Sequence, residues 1–135
     1  MADQITKLWA LDALDGGRTI EVVWTLRLRL VRNSGIAFSQ GHGLGPVVAL
    51  VVIVIIIFLA RMGTRTGDSI TRVTVGAVVG GAVGNLVDRI VRSDGRTFDG
   101  AVVDFVDLRW WPVFNLADAA IVTGGAVIIW RGLTR

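Results

Sequence analysis

Asp104 and Asp118 lie 14 residues apart in a chain with few other side chains suited to catalysis. Two carboxylates brought close in a low-dielectric setting cannot both ionise, so they share one proton. One then serves as general base on a water while its protonated partner polarises a carbonyl, as in peptide hydrolysis by aspartic proteases. Such a pair needs no metal, cofactor or nucleophilic side chain. That suits 135 residues with no cysteine and a single histidine. Disulfide frameworks and Cys-based zinc or redox sites are excluded, and little remains for a His-rich metal centre. His42, between Gly41 and Gly43, reads as an exposed loop residue.

Taken singly, the polar residues have plainer readings. Asn115 and Asp118 have the spacing of an N-cap and N3 pair, which needs no catalysis. Asp104, Asp99 and Asp107 fit solvated loop acids. Asn85, Asp88 and Arg89 stand at i, i+3 and i+4, as border residues of a membrane helix would, with Arg89 snorkelling outward.

The elements that must position them are membrane helices. Charged residues make up 19% of the chain, below the ~25% of an ordinary soluble domain. The sequence pI of about 11.0 comes with a net charge of only +3, from 13 Arg and one Lys scattered singly. No basic patch tracks a phosphate backbone, so nucleic acid is not an expected partner. Residues 33–60 carry no formal charge. A first span is expected at 44–62, about 28 Å of helix. A second is expected at 69–91, where the uncharged stretch between Arg72 and Asp88 extends only about 22 Å. Asp88 and Arg89 then lie at or just inside the border. Gly76, Gly80 and Gly84 form a stripe that admits a neighbouring helix. A third span is expected at 113–131, bracketed by Trp110, Trp111 and Trp130 as by interfacial belts. It places Asp118 within the membrane, where an ionisable residue is a functional candidate by default.

Residues 1–14 are interrupted by Asp3, Lys7 and Asp12, lack the organisation of a signal peptide, and read as the end of a helix stopping near Asp3. Residues 18–32 alternate in part and predict one short amphipathic strand; residues 101–105 form a β-branched patch. Consecutive spans alternate in direction. Order along the chain therefore brings Asp3, Asn33, Asn85 with Asp88, and Asn115 with Asp118 to one membrane face. The opposite face would hold Arg61, Arg65, Arg72, Arg131 and Arg135, against nine positives on the site face. Counting Lys and Arg gives no support for a site that faces outward.

Five motifs occur in order: Asp3-Gln4-x-Thr6-Lys7, Arg32-Asn33-x-Gly35-x-Ala37-Phe38, Gly80-Gly81-Ala82-x-Gly84-Asn85-Leu86-x-Asp88-Arg89, Val102-Val103-Asp104-Phe105 and Phe114-Asn115-x-Ala117-Asp118. Together they closely resemble lipoprotein signal peptidase (signal peptidase II), a family of bacterial intramembrane aspartic proteases. The resemblance implies an all-α membrane protein, a four-helix transmembrane bundle with a small extracytoplasmic β element at about 18–40. It implies cleavage of diacylglyceryl-modified prolipoproteins just before the lipidated cysteine, in the inner membrane and at its extracytoplasmic face. Catalytic roles carry over to Asp104 and Asp118, and supporting or substrate-binding roles to Asp3, Lys7, Asn33, Asn85, Asp88, Arg89 and Asn115. No cofactor or metal is implied; the expected partners are the prolipoprotein and membrane lipid, with the chain a monomer. In the family a first helix crosses before the Asp-Gln-x-Thr-Lys motif, whereas only Met1 and Ala2 precede Asp3. Most of that helix is therefore expected to be missing from a single peptidase domain over residues 1–135. The alternative is a non-enzymatic helix bundle handling protons or cations through Asp88, Asp104 and Asp118.

Overall fold

A computed structural model describes residues 1–34, 45–93, 95 and 98–134. His42, Arg135, residues 35–38 of the second motif and the β region expected beyond residue 34 lie outside the described residues.

Three long helices carry the fold: α2 (Gly45–Arg65), α3 (Ser69–Val91) and α4 (Leu116–Leu133). All three are long and apolar enough to cross a membrane, by length and composition. Pro46 sits in the first turn of α2, where its missing N–H has no intrahelical partner to lose. Asp68 caps α3, accepting from Thr71 N at 2.9 Å. Large apolar side chains face outward, among them Leu50, Val54 and Phe58 on α2 and Val122 and Ile129 on α4. An apolar exterior around helices of this length is what a bilayer solvates.

Boundaries depart from expectation where tertiary contacts intervene. The third helix begins at Leu116 rather than 113. Phe114 is committed to the sheet, donating to Val106 O at 3.0 Å, and Asn115 is the N-cap. The N-terminal helix, α1 (Ala2–Ala13), does not stop near Asp3 but starts there. Asp3, Lys7, Ala10 and Leu14 form its buried stripe at i, i+4, i+7 and i+11. Two of the three charges that interrupt its apolar pattern, Asp3 and Lys7, pack inward, while Asp12 is exposed.

Residues 18–32 form a hairpin rather than one strand: β1 (Thr19–Val23) and β2 (Leu26–Asn33), antiparallel, with β3 (Val102–Asp107) antiparallel on the far side of β2. The turn is hidden in the sequence because Trp24, not Gly or Asn, takes its positive φ of 51°. Entry into β1 follows the usual rule, with Gly16 and Gly17 at φ 67° and 80°. Ala10 and Leu14 of α1 pack on Phe105 in the small core over the sheet. Trp9 meets the same ring edge-on at 6.3 Å between centroids.

Of the expected stripe only Gly84 is a close-approach glycine. A Cβ at Gly76 or Gly80 would meet nothing within 4 Å. At Gly81 it would lie 2.7 Å from Ala117 O, and at Gly84 2.5 Å from Asp3 Oδ2. Gly124 of α4 faces Val78 in the same way. A strict four-residue stripe drifts around a helix of 3.6 residues per turn. The packed face therefore follows 81 and 84 on α3.

Candidate functional site: an acid–amide cluster at the helix ends

The end of α3, the start of α4, β2 and β3 bring five amide and carboxylate groups into one chain of bonds. In the sheet register Asp104 sits opposite Val31 and Asn33 opposite Val102. Asn33 and Asp104 are thus diagonal neighbours on one face. Asn33 Nδ2 donates to Asp104 Oδ2 at 3.0 Å, and Asn115 Nδ2 donates to Asp104 Oδ1 at 2.7 Å. Asn85 Nδ2 donates to Asp118 Oδ1 at 2.8 Å, and the backbone N–H of Asn115 donates to Asp118 Oδ2 at 3.2 Å. All four carboxylate oxygens therefore accept an N–H, and Asn115 touches both acids. Asp118 N donates back to Asn115 Oδ1 at 3.0 Å, completing a capping box. The capping reading and the pairing reading of Asn115 hold together. Its oxygen caps α4, leaving its Nδ2 for Asp104 and, at 3.1 Å, Asn85 Oδ1.

The two acids differ in surroundings. Asp104 is only 1% exposed. Burial raises its carboxyl above the usual range; the hydrogen bond from Asn33 opposes this and the nearby Asp118 charge adds to it. Asp118 is half-buried and lines two cavities. One, of about 220 Å³, has Asn33, Asn85 and Arg89 at its polar end and Ala49, Leu86 and Ile121 along its apolar walls. The other, of about 400 Å³, runs between the β3–α4 connection and the outer face of α4.

A second cluster supports the first. The ammonium of Lys7, wholly buried, lies 2.9 Å from Asp3 Oδ2, 2.9 Å from Asp88 Oδ2 and 2.8 Å from Asn85 Oδ1. Asp3 also accepts from Ala117 N at 3.1 Å, and Asp88 from Val103 N at 3.1 Å. Gln4 Nε2 bridges Gly84 O at 3.0 Å and Asp88 Oδ1 at 3.1 Å. Polar bonds from α1 thus reach the end of α3 and the start of α4. Asp88 is also bonded from β3, and Asn85 is the group shared by both clusters. With all these partners Asp88 faces Lys7 rather than the two acids, so the geometry does not favour a relay through Asp88, Asp104 and Asp118. Arg89 is half-buried, lines the smaller cavity and has no ion pair among the described residues.

Two residues that carry weight here had only faint signals. Gln4 stands inside the first motif without an assigned role. Asp107, a candidate solvated acid by sequence, is 2% exposed and pairs with Arg29 and with Arg27 at 2.8 Å. Arg29, the N–H of Arg109 and Arg27 hold its carboxyl well below the usual range, against a smaller opposing effect of burial. The signal was the i, i+2 spacing of the two arginines on one strand face. Asp99 is half-buried. Among the described residues no group of three or more His, Cys, Asp or Glu is placed to hold a metal.

Three apolar helices around a buried acid–amide centre define a membrane protein with a polar site where helix ends meet a small sheet. The chain belongs to the signal peptidase (SPase) II family, whose sequence model matches residues 1–134. It is 41% identical over 128 residues to a lipoprotein signal peptidase from Rhodococcus jostii strain RHA1, covering 94% of this chain and 64% of the relative. The protein of that name from Mycolicibacterium smegmatis is 42% identical, over 94% of this chain and 54% of its own length. The chain thus spans little more than half to two thirds of these curated relatives. Two solved structures of a bacterial membrane enzyme superpose with TM-scores of 0.83 and 0.84 at 28% and 27% identity. Each covers 98% of this chain, and the matches take in 81% and 85% of the solved chains.

Proposed function

We propose that the chain acts as an intramembrane aspartic endopeptidase on diacylglyceryl-modified prolipoproteins, cutting the peptide bond just before the lipidated cysteine. The observation that carries this is the fixed pair of acids: every oxygen of Asp104 and Asp118 accepts an N–H, and Asp118 opens onto both cavities.

Asp104, buried and raised in pKa, is the neutral acid that donates to the scissile carbonyl oxygen. Asp118, facing the cavities, is the base that takes a proton from the attacking water. The new C–O bond gives a gem-diol intermediate; the proton then passes from Asp118 to the leaving nitrogen as the C–N bond breaks, and a gem-diol hydroxyl returns its proton to Asp104 as the carbonyl re-forms. Asn115 and Asn85 hold the pair in register, Asn33 orients Asp104, and Lys7 with Asp3 and Asp88 braces the helix ends. Arg89, which lines the smaller cavity, hydrogen-bonds the peptide backbone of the substrate.

The domain is one unit over residues 1–135, working as a monomer in the bacterial inner membrane. Its spans lie at α2, α3 and α4, with α1 as a fourth helix and the site at the extracytoplasmic face. In proteoliposomes, Asp104→Asn and Asp118→Asn are each expected to abolish cleavage of a diacylglyceryl prolipoprotein peptide while the chain stays inserted. Cleavage retained by either variant would sink the pairing; proton flux without any cleavage would favour the helix-bundle alternative.

A further inference from the structure

The two cavities beside the acids have one lining residue in common, Asp118. They differ in chemistry. The smaller carries polar groups beside Asp118, the two amides of Asn33 and Asn85 and the guanidinium of Arg89, suited to a peptide backbone. The larger is walled by Leu108, Trp110, Trp111, Phe114 and Val122, and among the described residues its only charged lining residue is Asp118. The hydroxyl of Thr123, which also lines it, donates to Ala119 O at 2.6 Å within α4. Trp110 and Trp111 meet edge to face at 6.1 Å, which makes that wall stiff. The groove opens sideways: Trp110, Trp111 and Val122 are 69%, 56% and 66% exposed, on the flank where α4 turns its apolar face outward.

We propose that this larger groove is the acyl subsite, holding one chain of the substrate's thioether-linked diacylglyceryl group as it leaves the site for the bilayer. The proposal rests on the peptidase reading above. If the scissile bond adjoins the lipidated residue, the lipid must depart from Asp118 within a side chain's length. Of the two cavities that Asp118 lines among the described residues, the groove is the apolar one. Lipid tails are as apolar as Leu, so a chain gains little free energy by leaving the bilayer for a protein wall. The subsite therefore acts by position: it fixes the sulfur-bearing residue so that the neighbouring carbonyl meets both acids. Misplacement of a reacting group by about 1 Å can cost 10²-fold in rate.

The test uses the full chain in proteoliposomes with two prolipoprotein peptides that differ only in the glyceryl substituents, long-chain diacyl against diacetyl. Val122→Trp fills the groove from an exposed position on α4 and is expected to lower the long-chain to diacetyl ratio of kcat/KM about tenfold. Val73→Trp, on an exposed position of α3 outside both cavities, leaves that ratio unchanged. A second readout places brominated acyl chains on the substrate bound to an Asp104→Asn chain that also carries Trp9→Phe, Trp24→Phe and Trp130→Phe. Quenching of Trp110 and Trp111 above that given by the same bromolipid free in the bilayer supports the subsite. Equal quenching by substrate and free lipid overturns it in favour of a bilayer chain. An equal loss on both peptides with Val122→Trp overturns it in favour of the signal peptide itself. Failure of the unsubstituted chain to bind or cleave either peptide brings down the peptidase reading, and the subsite with it. That outcome is distinct, because no ratio then exists.

Discussion

Lys7 is a cation with no solvent, facing two acids and an amide oxygen within 2.9 Å. Removing one partner from a buried charge group leaves the others uncompensated. Lys7→Met, similar in volume, is expected to cost about 3–5 kcal/mol, measured by chemical unfolding in micelles. A variant as stable as the parent would show that Asp3 and Asp88 do not depend on the ammonium. Asp104 gives a prediction in pH. Its folded pKa is raised by burial, so the folded chain holds this proton to higher pH than the unfolded chain does. The associated stability is complete below the unfolded carboxylate value and is lost as pH rises through the folded one. On the proposed mechanism the neutral acid is lost over the same rise, so kcat/KM is expected to fall on the alkaline side. The Asn33 hydrogen bond favours the charged form, so Asn33→Ala moves that limb to higher pH. A pH–rate profile shifted downward would contradict the assignment.

Among the elements, α4 begins with a residue that has two separable tasks. The Asn115 side-chain oxygen caps the helix, while its nitrogen holds Asp104 and Asn85. Asn115→Ser keeps a capping oxygen and loses both nitrogen contacts. It is expected to cost about 1–3 kcal/mol for the unsatisfied acceptor and to slow cleavage far more than it lowers stability. Asn115→Ala loses the cap as well, at about 1 kcal/mol more. Thermal unfolding and turnover measured together on the two variants check this; equal turnover in Asn115→Ser and the parent would reduce Asn115 to a cap. The docking of α1 depends in the same way on one missing atom, since a Cβ at Gly84 would lie 2.5 Å from Asp3 Oδ2.

For the whole molecule, the absence of cysteine makes topology directly measurable. Asp12, near the end of α1, and Thr64, near the end of α2, are both exposed. Asp12→Cys and Thr64→Cys, each introduced alone, are expected to react with a membrane-impermeant maleimide from opposite sides of sealed vesicles. Labelling from one side only would contradict the proposed threading. The three long helices were legible in sequence because a run of side chains without charge is a one-dimensional signal. Their ends were less so, since Phe114 leaves the helix for a bridge to Val106 that composition does not record. The hairpin was missed because Trp24 occupies a conformation usually marked by Gly or Asn.

Order along the chain already pointed Asn33, Asn85 and Asn115 to a common side, given spans that alternate in direction; Asp3 reaches them through the packing of α1. It also supplied the residue types, and with them the chemistry of a carboxylate pair. What it did not contain was the partition of these groups: Asp88 turned to Lys7, Asp104 and Asp118 shared through Asn115, Asp107 bound to Arg27 and Arg29. Nor did it show that Gly81 joins Gly84 in admitting Ala117 and Asp3, while Gly76 and Gly80 of the four-residue stripe meet nothing. Apolar length and residue order are properties of a line. Which lone pair accepts which N–H depends on strand register and on backbones close enough to exclude a Cβ, and those exist only once the helices and the sheet have packed.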